Sequence, residues 1–171
     1  MDLKNFIVEI PDFPKKGVLF KDITPIFLKP EAFNNVIEWF LSVAEKHHVN
    51  KISAIESRGF LFAAPVALLA KLPLAIIRKR DKLPREKVSV TSYLEYGEEV
   101  LELHVDAIAA GDRVMIIDDV LATGGTVEAA TKLICQLDGI VVCAGFLIEL
   151  CYLDGRNKLN GLSVEALIKY E

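Results

Sequence analysis

The sequence predicts an open α/β sheet, mainly parallel and twisted, with helices on its faces, an irregular N-terminal cap and a long hairpin flap. Three observations carry this expectation. Residues 113–117 and 140–148 are strands in continuous apolar runs, as a parallel sheet covered on both faces requires. Strand-like and helix-like segments alternate along the chain. Residues 114–126 read V-M-I-I-D-D-V-L-A-T-G-G-T, a buried strand, an acid pair, a small flexible loop and the start of a helix.

Taken in order, residues 11–30 hold four prolines and Gly17, so they are expected to form an irregular cap and no core element. Residues 31–46 place Phe33, Val36, Ile37, Phe40, Leu41 and Ala44 on one helical stripe opened by Pro30. A short strand over 51–55 precedes a second, largely buried helix over 61–72. The strand 74–77 runs into Arg78, Lys79 and Arg80. Residues 81–99 are polar, contain Pro84 and Gly97, and read as a hairpin or mobile flap with strand-like pieces such as 88–94. Asp118 and Asp119 sit where the strand 113–117 would end, and 127–137 has helical spacing.

At 171 residues the chain is one domain by length. Apolar residues make up 52% and charged residues 26%, the hydrophobic end of a soluble balance, which hints at an oligomer interface. A net charge of −4 argues against general nucleic-acid binding. Cys135, Cys143 and Cys151 are too few and too scattered for a zinc site or a disulfide framework, and are expected to be buried free thiols in a reducing compartment. The first residues lack a secretory apolar region, and the longest apolar run, 60–70, is too short for a bilayer and contains Pro65. A cytoplasmic protein without membrane contact is expected.

The chemistry concentrates in four places. Backbone N–H groups where the loop 122–126 meets its helix can hold a phosphate, and the threonine hydroxyls add donors. With Asp118 and Asp119 alongside, the ligand should carry both phosphate and hydroxyl groups, with Mg2+ as go-between. The loop is neither a dinucleotide fingerprint nor a P-loop, because G-x-G-x-x-G and G-K-[ST] are missing. Glu56-Ser57-Arg58-Gly59 repeats the strand–turn–helix pattern. It fits either a pyrophosphate turn or a helix cap by Ser57 with Arg58 on the surface. The cluster Arg78, Lys79, Arg80, Lys82, Arg85 and Lys87 marks where an anion should go in an acidic chain, and the flap after it can exclude water. Residues 13–25 carry Phe13, Val18, Leu19 and Phe20, which are either ordinary core or one wall of a flat apolar pocket.

The segment 114–126 resembles the phosphoribosyl pyrophosphate-binding motif of the type I phosphoribosyltransferases. The resemblance runs from about Phe13 to the C-terminus and implies that family's fold. It implies a hood over the base site in about residues 1–30 and a catalytic flap in about 80–100. Asp118 and Asp119 would hold the ribose hydroxyls, and Ala122, Thr123, Gly124, Gly125 and Thr126 would wrap the 5′-phosphate. Ser57 and Arg58 would bind pyrophosphate at a turn that often has a non-proline cis peptide. Arg78, Lys79 and Lys82 would reach the same group from this or a neighbouring subunit.

The stretch Tyr93-Leu94-Glu95-Tyr96-Gly97 and the hood resemble the adenine-using members of that family. This implies Glu95 as catalytic acid/base and Tyr96 near the pyrophosphate or ribose. It also implies Phe20 stacking on adenine, backbone contacts from Leu19 and Lys21, and Leu150 on the opposite face. Relatives often have Arg where this chain has Lys21. The implied reaction converts adenine and 5-phosphoribosyl 1-pyrophosphate to AMP and pyrophosphate in a homodimer, with Mg2+ bound mainly through the substrate and no protein metal cage. A 6-oxopurine substrate such as xanthine or hypoxanthine is the runner-up. A non-catalytic sensor of phosphoribosyl pyrophosphate comes third, because the flap and Glu95 are present.

Overall fold

A computed structural model describes residues 1–94 and 97–171. Its centre is a seven-stranded sheet of β3 (Lys51–Ile55), β4 (Leu74–Lys79), β5 (Lys87–Leu94), β6 (Gly97–His104), β7 (Arg113–Leu121), β8 (Ile140–Leu150) and β9 (Ser163–Tyr170). The order is β5-β6-β4-β3-β7-β8-β9. Strands β4, β3, β7, β8 and β9 are parallel, and the hairpin β5–β6 joins the β4 edge antiparallel. The mainly parallel α/β expectation therefore holds.

Alternation along the strands builds two cores. In β7, Met115 and Ile117 face the helices α2 (Pro30–Lys46) and α3 (Gly59–Ala70), while Val114 and Ile116 face α4 (Gly125–Cys135). Helix α2 starts with Pro30 in its first turn, and Val36, Ile37, Phe40 and Ala44 are buried as the stripe predicted, together with Ala32 and Val43.

The structure corrects several expectations. The N-terminal segment is not irregular: β1 (Val8–Pro11) and β2 (Leu19–Asp22) form an antiparallel hairpin, followed by a short helix α1 (Thr24–Phe27). Ile23 and Ile26 are fully buried in the main core. The prolines fit because Pro11 ends a strand, Pro14 follows a cis peptide in the turn and Pro25 opens a helix. Strand β7 continues through the acid pair to Leu121, held by parallel pairing of Val120 and Leu121 with β8.

Helix α3 begins two residues earlier than expected and is only half buried. Leu61, Leu68 and Leu69 are 50%, 77% and 59% exposed, so its apolar outer face is uncovered in the single chain. Leu74 and Ile76 of β4 are exposed as well. The hairpin strands β5 and β6 span Lys87–Leu94 and Gly97–His104, later than the expected flap over 81–99, and β6 is also paired with β4. Of the cysteines only Cys143 is buried, its thiol pushed up to about 12 by desolvation; Cys135 is exposed and Cys151 half-buried. Strand β9 was not anticipated. No described helix is long and apolar enough to cross a membrane.

Candidate active site

From β3 the chain passes to β4 on one side, and later to β7 on the other. The carboxyl ends of β3 and β7 therefore form the crevice where the sheet's winding reverses, the place where open α/β sheets bind ligands. A cleft of about 390 Å³ opens there. It gathers Ser57, Arg58, Lys79, Asp118, Asp119, Ala122 and Thr126, for which the sequence suggests ligand roles, with Glu56 and Glu99, for which it suggests none.

The acid pair forms the floor. Asp118 Oδ1 accepts the Asp119 N–H at 2.9 Å. Burial is the main cause that pushes Asp118 well above the usual carboxylate range, reinforced by the neighbouring Asp119 charge. Asp119 is also raised by burial, an effect opposed by the Arg58 guanidinium. Arg58 Nε lies 2.8 Å from Asp119 Oδ2, yet that oxygen accepts no hydrogen bond among the described residues. The contact is therefore coulombic and misaligned, and it leaves a buried acceptor oxygen ready for a donor entering the cleft.

On the β3 side the turn holds a cis Glu56–Ser57 peptide. Ser57 does not cap α3, whose cap residue is Arg58 without a side-chain cap bond. Glu56 binds Arg78 through Arg78 Nε at 3.0 Å and Nη2 at 3.3 Å, and accepts the Lys79 N–H at 2.9 Å. The Arg78 hydrogen bond holds the Glu56 carboxyl below its usual range. Arg78 is thus turned onto Glu56, whereas Lys79 Nζ reaches the cleft and meets Glu99 Oε1 at 2.7 Å. Lys82 is exposed and does not line the cleft.

On the β7 side, residues 122–126 lead into α4, whose first three N–H groups have no partner within the helix. Gly124 adopts φ +79°, and a Cβ there would lie 2.4 Å from the Gly155 carbonyl oxygen. A Cβ on Gly155 would lie 2.1 Å from the Ala122 carbonyl oxygen. Only a glycine pair allows this crossing. Arg156 fixes the crossing segment, pairing with the buried Glu149 at both carboxylate oxygens and donating to the Val164 carbonyl at 2.8 Å. The sequence reading missed Gly155, although Asp154-Gly155 is a turn signal. Gly155→Val is expected to displace the loop and weaken phosphoribosyl pyrophosphate binding at least about tenfold, a penalty consistent with overpacking. Calorimetric titration checks it; unchanged affinity would contradict this supporting role.

The hairpin β1–β2 approaches the cleft at Arg58. The Phe20 ring lies 5.2 Å from Arg58 Cζ, and Phe13 meets Phe20 edge-on at 5.1 Å. Leu19 is exposed. Lys21 is buried, its ammonium paired with Glu9 and 3.8 Å from the Tyr170 ring centre. Its side chain is therefore committed away from the cleft. Leu150, half-buried at the end of β8, lies opposite Tyr170 in the sheet register. Glu95 and Tyr96 lie outside the described residues.

The fold and its crevice define a phosphoribosyltransferase: the phosphoribosyl transferase domain family matches residues 26–147. An adenine phosphoribosyltransferase of Halothermothrix orenii is 49% identical over 169 residues, covering 99% of both chains. The crystal structure of adenine phosphoribosyltransferase from Thermoanaerobacter pseudethanolicus is 49% identical, with TM-score 0.96 over 99% of this chain and 98% of that one. That of Saccharomyces cerevisiae, complexed with adenine and an imino-altritol bisphosphate, is 39% identical with TM-score 0.90, covering 95% of this chain and 94% of that one. The chain belongs to the adenine phosphoribosyltransferase family of pentosyltransferases.

Proposed function

We propose that this chain transfers the 5-phosphoribosyl group from 5-phosphoribosyl 1-pyrophosphate to N9 of adenine, giving AMP and pyrophosphate in purine salvage. The observation that carries the reading is the contact of Phe20 with Arg58, itself paired to Asp119, because it joins an aromatic hood to an anion and hydroxyl site. Asp118 and Asp119 accept the ribose hydroxyls, and 122–126 with the α4 N–H groups hold the 5′-phosphate. Ser57, Arg58 and Lys79 take the pyrophosphate, while Arg78 holds the turn through Glu56 and Lys82 adds positive field from outside the lining. Phe20 stacks on adenine against Leu150, with Leu19 and Lys21 offering backbone groups. Glu95 moves the N9 proton, and Tyr96 flanks the pyrophosphate or ribose.

Magnesium fits this donor set as a substrate-borne ion. The unbonded Asp119 Oδ2 suits a hydroxyl or a metal-bound water. When bound, Mg2+ would neutralise pyrophosphate charge. We read residues 1–171 as one domain with a hood over about 1–30 and a flap over about 80–100, acting in the cytoplasm. The uncovered α3 face supports a homodimer.

Titration of the protein with AMP, IMP and GMP tests the base assignment. AMP should bind at least about tenfold more tightly, since a site built to hydrogen-bond one base edge leaves groups unpaired with another. Equal affinities would overturn it.

A further inference from the structure

Glu99 stands in the cleft wall, and the reading above gives it no part. It lies on β6 opposite Ser92 of β5, just before the stretch in which β6 is bonded to β4: Arg80 N–H donates to the Val100 carbonyl at 3.0 Å, and Lys79 lies opposite Leu101. Its carboxylate is therefore carried on a fixed strand to the mouth of the cleft. There it meets Lys79 Nζ at 2.7 Å, while Glu56 holds the Lys79 backbone N–H from behind. The Lys79 side chain is 51% exposed and that of Glu99 22%, so Lys79 is held at its backbone by Glu56 and at its ammonium by Glu99, while the ammonium stays open to an incoming anion.

We propose that Glu99 is a positioning residue that competes with pyrophosphate for Lys79. It keeps the ammonium aimed into the cleft when no anion is bound, and gives it up when pyrophosphate arrives. The lost ion pair is subtracted from the binding of the anion, so Glu99 weakens the grip on pyrophosphate and favours its release as product. This rests on the reading that Lys79 contacts the pyrophosphate group. Glu98, next along the strand, carries the same charge but points to the other face and is exposed, so it supplies a control for general electrostatics.

The test is calorimetric titration of magnesium pyrophosphate into the wild type, Glu99→Gln, Glu98→Gln, Lys79→Met and the Glu99→Gln/Lys79→Met double variant. Product inhibition by pyrophosphate is measured on the wild type and the two Gln variants. Glu99→Gln should tighten pyrophosphate binding about two- to fivefold, the range of a half-exposed ion pair, and lower the pyrophosphate inhibition constant in parallel. Glu98→Gln should change it less than about 1.5-fold, because its screened charge lies off the cleft. In the Lys79→Met background the gain should vanish, the sign of a direct coupling between the two residues. A Glu99→Gln protein that binds pyrophosphate no more tightly than Glu98→Gln overturns the proposal. If Lys79→Met still weakens binding in that case, the pyrophosphate reading survives. A Lys79→Met protein with undiminished affinity removes both.

Discussion

Asp118→Asn is expected to make the unliganded protein more heat-stable and a poorer binder of phosphoribosyl pyrophosphate. The carboxyl is pushed well above its usual range, first by burial and then by the charge of Asp119. A folded-state value above the unfolded one means that the fold prefers the protonated form. Its stabilising contribution is complete at pH values below the ordinary carboxylate range and is lost as pH rises through the raised value. At neutral pH, above the ordinary carboxylate range, the buried Asp118 carboxyl therefore opposes folding. Asparagine removes that charge with little change of shape, and a rise in the thermal midpoint of about 3 °C corresponds to roughly 1 kcal/mol in a chain of this size.

Binding carries the opposite sign. Ribose hydroxyls donate to a carboxylate and favour its ionised form, so the ligand should release a proton and bind more strongly as pH rises through the same window. Losing a hydrogen bond to a charged acceptor should cost about tenfold or more in affinity. Comparing the wild type with the variant at each pH separates this from the ligand's own titration. A lowered midpoint, or affinity equal to the wild type, would contradict the assignment.

Glu95→Gln should lower kcat about a hundredfold or more and leave the dissociation constant of phosphoribosyl pyrophosphate within about twofold. As N9 of adenine attacks C1′ it must lose its proton, and the carboxylate proposed for that role can accept it. Glutamine keeps the size and polarity of the side chain but cannot take the proton. The same group must return the proton when AMP and pyrophosphate react, so the reverse reaction should fall by the same factor. A full-rate variant in either direction would end the acid/base assignment.

The parts of the fold that local pattern controls were legible in the sequence. Strand β3 has the bounds read from the sequence, Lys51–Ile55, and the stripe of α2 is buried almost as its spacing requires. The acid pair and the loop 122–126 announced the crevice, because strand, loop and helix start follow one another without interruption. What was not legible depends on distant chain segments. The prolines of the hood concealed a hairpin that only pairing across the turn reveals. Helix α3 is apolar on every side, so periodicity could not show which side would lie open. Glu99 is one of several acids after Gly97 and is distinguished only by Lys79, twenty residues earlier in the chain. Gly155 gains its importance from a crossing with a loop some thirty residues before it, which no local signal records.

The choice of base and the transfer itself can be tested together. The direct measurement is nucleotide formation from phosphoribosyl pyrophosphate and Mg2+ with adenine, hypoxanthine, guanine and xanthine in parallel, each product resolved by chromatography. AMP should form from adenine, with the three oxopurines turned over more slowly by at least about a hundredfold, the discrimination a hydrogen-bonding site can supply. Turnover of an oxopurine in preference to adenine would contradict the reading of the hood. No product from any base, with phosphoribosyl pyrophosphate bound, would contradict the assignment of a transferase.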